Sequence, residues 1–287
     1  MRKVIYIGLV VALCWFAEDC ARAAELHVPQ NAVAGQPLSV GTSGSGTLYL
    51  IGPGQVIKKE FKSGSVEIKG EELRSAGRWI AAVRGDSKQS AVFWVKPGKP
   101  GKLNFLARPS RVPVARQNVI SGVTFVFDQY QNLILDPTPV NFKLEVGGSS
   151  STKSVTSREG VAWINSASAP KAGAAQFVAS VDDTSVARVV QQVAADPCER
   201  SFRMHVAGHS GDRTIVETDP IRDCSGNPVP DGTIVTFIQT DKTGKSTVDA
   251  RIKKGTARAE LPASDNATIT VAAGVVLGNE LHVGGRQ

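Results

Sequence analysis

Phe127-Asp128-Gln129-Tyr130-Gln131-Asn132-Leu133-Ile134-Leu135-Asp136 and, 95 residues further on, Arg222-Asp223-Cys224-Ser225-Gly226-Asn227-Pro228-Val229-Pro230-Asp231 are two copies of one pattern. Asp128 falls on Asp223, Asn132 on Asn227 and Asp136 on Asp231. The same offset carries Val140 and Phe142 onto Val235 and Phe237, then Gly160-Val161-Ala162 onto Gly255-Thr256-Ala257, with no gap over more than thirty residues. Agreement of that length implies a duplicated domain of about 95 residues. Its physical content is a turn followed by a buried strand. Asp and Asn accept turn conformations and bond nearby backbone amides, while Gly226 frees the chain and Pro228 restricts it. The strand that follows, over 233–240, supplies Val235 and Phe237 to one face.

Outward from the repeat, the chain from Leu26 onward is a series of short β-rich runs punctuated by Gly, Pro, Asn, Asp and Ser, and no segment keeps a helical period over three turns. Val248, Ala250 and Ile252 alternate with polar residues, as do Ala257, Ala259 and Leu261 beyond Lys254-Gly255; this reads as two half-buried strands joined in a hairpin. Gly41-Thr42-Ser43-Gly44-Ser45-Gly46 reads as a loop.

The stretch from Asp223 to Phe237 resembles the signature of bacterial immunoglobulin-like domains of the invasin and intimin type, which read D-x-x-G-N-P-V-x-G-x-x-V-x-F. The likeness is clearest in the C-terminal third and reaches the middle through the repeat, where Gln131 stands for the glycine and Leu133 for the proline. It implies an all-β fold of three tandem immunoglobulin-like β-sandwiches, used by that family as rigid spacers and adhesive modules. The first domain lacks the signature, but Leu73 to Val83, with Trp79 two residues after Gly77, resembles the corner and following strand of such folds. Lys96-Pro97-Gly98-Lys99-Pro100-Gly101 reads as a stiffened linker, and a second boundary falls near Ala194 to Pro197. The expected domains are 24–96, 97–195 and 196–287, the last of invasin/intimin type.

Residues 1–23 read as a secretory signal: Arg2 and Lys3, an apolar run of thirteen residues from Val4 to Phe16, then Ala21-Arg22-Ala23. A helix of that length falls well short of the roughly 30 Å bilayer core, so a retained anchor is the lesser reading. Lipidation of Cys20 is disfavoured by Asp19 before it. No later apolar run is long enough to span a membrane. An exported location follows, whether periplasmic, cell-surface or secreted. Of four cysteines, Cys14 and Cys20 lie in the signal. Cys198 and Cys224 are most simply one disulfide, against two buried thiols or a bond to another chain.

The formal charge of +7 is dispersed. Lys58-Lys59 and Lys253-Lys254 are isolated doublets without interleaved aromatics, which argues against nucleic acid; the excess reads first as a solvated surface, with weak attraction to anionic glycans or lipid headgroups as the sharper alternative. Catalytic constellations are missing: there is no G-x-S-x-G elbow, phosphate loop or C-x-x-C pair. His205 and His209 have a zinc spacing only when carried on a helix, and here they read as strand or edge residues. Asp223 and Asp231 around a turn suggest calcium, but no dense Asp-x-Asp pattern accompanies them. Asp182-Asp183 reads as a turn. Trp79, Trp94 and Trp163 read as core residues, with sugar stacking the alternative for each. No cofactor or metal is expected. The expectation is therefore a non-enzymatic adhesion or interaction module binding a protein or glycan at the cell envelope, with Cys198–Cys224 as its disulfide and Asp128, Asn132, Asp136, Asp223, Gly226, Asn227, Pro228 and Asp231 as structural turn residues. The alternative is an accessory subunit or spacer of a larger envelope assembly.

Overall fold

The computed structural model describes residues 26–85 and 88–284; the proposed signal at 1–23, with Cys14 and Cys20, lies outside the described residues. The chain divides into two compact units between Lys96 and Pro97. Strands and their connections account for all described residues except one 3-10 turn at Gly70–Glu72, so the fold is all-β.

In the first unit β1 (Asn31–Val33), β2 (Leu38–Thr42), β3 (Gly46–Gly52), β4 (Gln55–Phe61), β5 (Gly64–Ile68), β6 (Gly77–Gly85) and β7 (Lys88–Lys96) form two sheets. One runs β1-β7-β6-β3-β4, and the other pairs β2 with β5. Inward residues of both are buried, among them Val40, Ile68, Leu48, Trp79 and Phe93. After the corner at Gly77, Trp79 enters this core 6.1 Å from the Phe93 ring, and its indole N–H donates to the Ser75 carbonyl at 2.9 Å. Burying an indole without such a partner would cost the desolvation of its N–H.

The second unit opens with β8 (Pro100–Arg108), β9 (Arg111–Pro113), β10 (Ile120–Asp128), β11 (Pro139–Val146), β12 (Ser149–Thr156), β13 (Val161–Ser166), β14 (Gly173–Val181) and β15 (Thr184–Val193). These make a three-stranded sheet, β13-β10-β8, and a five-stranded sheet, β12-β11-β14-β15-β9. Both feed one core, in which Phe105, Phe142 and Phe177 meet with ring centroids 5.2 to 6.1 Å apart. The unit continues with β16 (Met204–Ser210), β17 (Arg213–Thr218), β18 (Ile234–Asp241), β19 (Gly244–Arg251), β20 (Arg258–Pro262), β21 (Ala267–Ala273) and β22 (Val276–Val283). Sheets β16-β17-β20 and β19-β18-β21-β22 enclose a second core around Phe202, Val235, Phe237 and Leu261. These two sheet pairs are the middle and C-terminal copies of the repeat.

Three expectations are corrected. The runs around Lys254-Gly255 are not a hairpin: β19 pairs with β18 in one sheet, β20 with β17 in the other, and the turn carries the chain between sheets. Alternation reports that a strand has one buried face, not which strand it pairs with, and here both strands bury that face in the same core from opposite sides. Trp94 and Trp163 are not core residues; they are 55% and 64% exposed. Each sits between two buried neighbours, Phe93 and Val95 or Ala162 and Ile164, so the two-residue period turns the indole outward. Finally, β7 runs to Lys96 and β8 starts at Pro100, so the linker shrinks to three residues, while Gly41 and Gly46 belong to strands and leave 43–45 as the loop.

Candidate functional site

The repeated turns are built on a buried carboxylate. Asp223 Oδ1 accepts the backbone N–H of Ser225 and of Asn227, both at 2.9 Å. Its Oδ2 accepts the Asn227 side-chain amide at 3.0 Å and the backbone N–H of Ala195, 28 residues upstream, at 3.0 Å. In the middle copy Asp128 Oδ1 takes the N–H of Tyr130 and Asn132 at 2.9 Å, and Oδ2 takes the Asn132 amide at 2.7 Å and the N–H of Gly98, 30 residues upstream, at 2.9 Å. The aspartates thus fasten each turn to the segment that leads into its copy. Because these carboxylate oxygens are aimed at amide hydrogens, neither aspartate presents a cation site, and among the described residues no cluster of three or more His, Cys, Asp or Glu side chains could hold a metal. Asp231 stands apart and caps the next turn, accepting the N–H of Lys254 at 2.9 Å and of Gly255 at 3.1 Å. Asp136 takes part through its carbonyl, which accepts the Thr138 hydroxyl.

Asn227 also crosses the joint between the two copies. Its amide donates to the Pro170 carbonyl at 2.7 Å, and its Oδ1 accepts the Ala172 N–H at 2.8 Å. Beside it, Cys198 and Cys224 form a disulfide with a Cα–Cα distance of 4.6 Å. In the middle copy Gly101 lies at the matching place, so close that a Cβ there would stand 3.1 Å from the Gln129 nitrogen. The fourth turn residue is Gly226, at φ 84; its counterpart Gln131 is held in the same left-handed region at φ 70. Pro228 and Leu133 make equivalent bridges, to Arg222 and Phe127.

The outer face of the β13-β10-β8 sheet is a second feature, missed by the sequence reading. Across the strands, Trp163, Val123 and Leu106 form one row, and Val161, Phe125 and Asn104 the next. Phe127 follows, its ring stacked 6.5 Å from Phe125. Trp163 and Leu106 are 64% and 50% exposed, so the rows are open to solvent. Neither β8 nor β13 contains an acidic residue, and the single one in β10, Asp128, is buried and taken up by its turn; Lys102 and Arg108 face outward on β8. Trp163 also walls a cleft of about 730 Å³ whose polar lining includes Thr156, Ser157 and Arg158. The signal was available: β10 is apolar at both parities, Val123 and Phe125 as well as Val126, which reads as burial on two sides. In the C-terminal copy the row matching Trp163, Val123 and Leu106 is Arg258, Glu217 and His205.

The remaining candidates stay apart. His205 lies 3.3 Å from Asp219 and His209 beside the Thr214 hydroxyl, both on strand β16. Asp182, at φ 45, and Asp183 form the β14–β15 turn. Glu72 is held below the usual carboxylate range by its hydrogen bond to Lys59. Asp241 is lowered to about 2 by the Thr243 hydroxyl and amide. Among the described residues no helix is long and apolar enough to cross a membrane.

Solved structures share the architecture. The Escherichia coli adhesin FdeC matches with a TM-score of 0.63 at 14% identity, over 92% of this chain and 99% of that one. InvD of Yersinia pseudotuberculosis matches at 0.50 and 13%, over 91% and 97%. This chain has their immunoglobulin-like fold. Invasin, a bacterial integrin-binding protein, aligns over 89% of the chain and 57% of its own at 13% identity, with a TM-score of 0.48. No family model matches the sequence, and no curated protein matches it.

Proposed function

We propose that this protein is an exported, non-catalytic adhesion module of the bacterial envelope, made of a signal at 1–23 and three immunoglobulin-like domains at 24–96, 97–195 and 196–287. The observation that carries this reading is the joint at Asp223 and Asn227. A carboxylate buried inside one copy accepts the N–H of the incoming linker at Ala195, while Asn227 bonds Pro170 and Ala172 of the copy before it. Such a joint holds two sandwiches at a fixed attitude, which a module presenting binding loops or faces at a distance requires. The FdeC adhesin among the fold neighbours supports the same reading, while likeness at 14% identity supplies fold rather than ligand.

The test is export followed by adhesion. Expressed in its natural host, the chain should lose residues 1–23, read by N-terminal sequencing, and should confer saturable binding of cells to a host or matrix surface. Retention in the cytoplasm, or a surface-displayed chain without saturable binding, overturns the reading. Recovery of the chain from the envelope in fixed stoichiometry with a barrel or filament subunit, with no adhesion, points to the accessory-subunit role. That outcome would draw on β12, an eight-residue edge strand whose outer side is unpaired.

A further inference from the structure

We infer that the outer face of the β13-β10-β8 sheet is a binding platform for an acidic oligosaccharide; this rests on the adhesion reading and names its ligand class. The fold does not demand an apolar surface there. The C-terminal copy, with the same strands in the same order, carries Arg258, Glu217 and His205 where the middle copy carries Trp163, Val123 and Leu106. Exposed apolar rows that a duplicate of the same sheet does without mark a site rather than a packing need.

Size decides against a folded protein partner. Three strands spaced about 4.8 Å apart, over the five residues from Val123 to Phe127, give a platform on the order of 10 by 13 Å between backbones. Even with side chains added, that is well short of the roughly 800 Å² per partner that a stable protein interface occupies. It suits a ligand a few rings long. Aromatic planes receive the C–H faces of sugar rings, and the side chains beside them, Asn104 and the Ser121–Asn165 pair, offer hydrogen bonds to hydroxyl groups. Charge selects the acidic class: Lys102 and Arg108 bracket the rows on β8, and no carboxylate points outward from any of the three strands. Arg158, in the cleft beside Trp163, extends the cationic lining along the β13 edge.

The experiment is calorimetric titration of the full chain with hyaluronan, heparin and neutral chitin hexasaccharides, alongside the cell-adhesion measurement. At least one acidic hexasaccharide should bind, tenfold or more tighter than the neutral one, and should weaken with added salt. The double variant V123E/W163R gives the middle copy the residue pair the C-terminal copy already folds with, and should lose tenfold or more of that binding. Arg258→Ala should change it less than twofold. Failure of both acidic probes to bind, or binding by V123E/W163R within twofold of the natural chain, overturns the inference. Adhesion that survives in V123E/W163R leaves the adhesion reading standing without the saccharide; a protein ligand lost with Trp163, where no saccharide binds, assigns the face to protein instead.

Discussion

The middle and C-terminal copies share one plan and differ in how the plan is secured. Both hang a turn on a buried aspartate that gathers three donors from its own turn and one from the incoming linker. The C-terminal copy adds a disulfide, glycine at the left-handed position and proline after it; the middle copy uses Gly101 pressed against Gln129, then Gln131 and Leu133. The carboxylate is therefore the element common to both copies, and the disulfide, glycine and proline are particular to the C-terminal one. The outer faces of the three-stranded sheets diverge further, apolar in one copy and charged in the other. A duplicated sandwich keeps what its core and joint need and is free to change the rest.

The largest expected effect breaks the shared element. Asp223→Ala strands the amides of Ser225, Asn227 and Ala195, and should lower stability by about 3–5 kcal/mol in urea unfolding; Asp128→Ala should do the same in the middle copy. An effect under about 1 kcal/mol at either position would mean that water replaces the carboxylate there. Next comes the difference between the copies. Replacing Cys198 and Cys224 by serine opens a loop of 26 residues and should cost about 3–4 kcal/mol, with faster hydrogen exchange confined to the C-terminal copy.

Smaller effects come from the turn residue. Gln131→Gly relieves a left-handed side-chain residue and should stabilise the middle copy by about 0.5–1 kcal/mol. Gly226→Ala should cost about 1 kcal/mol for the opposite reason, since a Cβ there meets nothing within 4 Å and only the backbone is strained. The smallest effect is at the hairpins. The middle copy closes β11–β12 with Gly147 and Gly148, both at positive φ, whereas the C-terminal copy closes β18–β19 with the Asp241 carboxylate on Thr243 and Gly244. Because Asp241 is lowered to about 2, its contribution is full above the ordinary aspartate range near 4 and is lost as pH falls toward 2. Thr243→Ala should move its NMR titration midpoint upward and leave the β11–β12 hairpin unchanged.

Much of this was legible in the residues. Short apolar runs cut by Gly, Pro, Asn and Asp have no helical period to follow, so the all-β immunoglobulin-like fold could be read, and the 95-residue offset aligned two copies whose hydrogen bonds coincide: Val126 N to Gly160 O, and Ile221 N to Gly255 O. Cys198 and Cys224, the only cysteines beyond residue 23, were enough to suggest the disulfide that the structure contains. What sequence could not carry was long-range partnership. That Asp128 and Asp223 each receive an amide about thirty residues upstream depends on the path of the chain, not on its local spacing. Alternation alone does not give the pairing of β19 and β20, because a buried face is common to strands of both sheets. An alternating strand around Trp163 suggests a core position for the indole, yet its parity with Ala162 and Ile164 sets it on the outer face.

The disulfide has one further consequence, which concerns force. Residues 199–223, with β16 and β17, lie inside the ring that Cys198 and Cys224 close. A pull transmitted along the polypeptide from Ala195 passes through sulfur directly to residue 224 and leaves that stretch slack. The last sandwich can therefore release length only from the residues outside the ring, and under load it is shorter, and stiffer, than its residue count suggests.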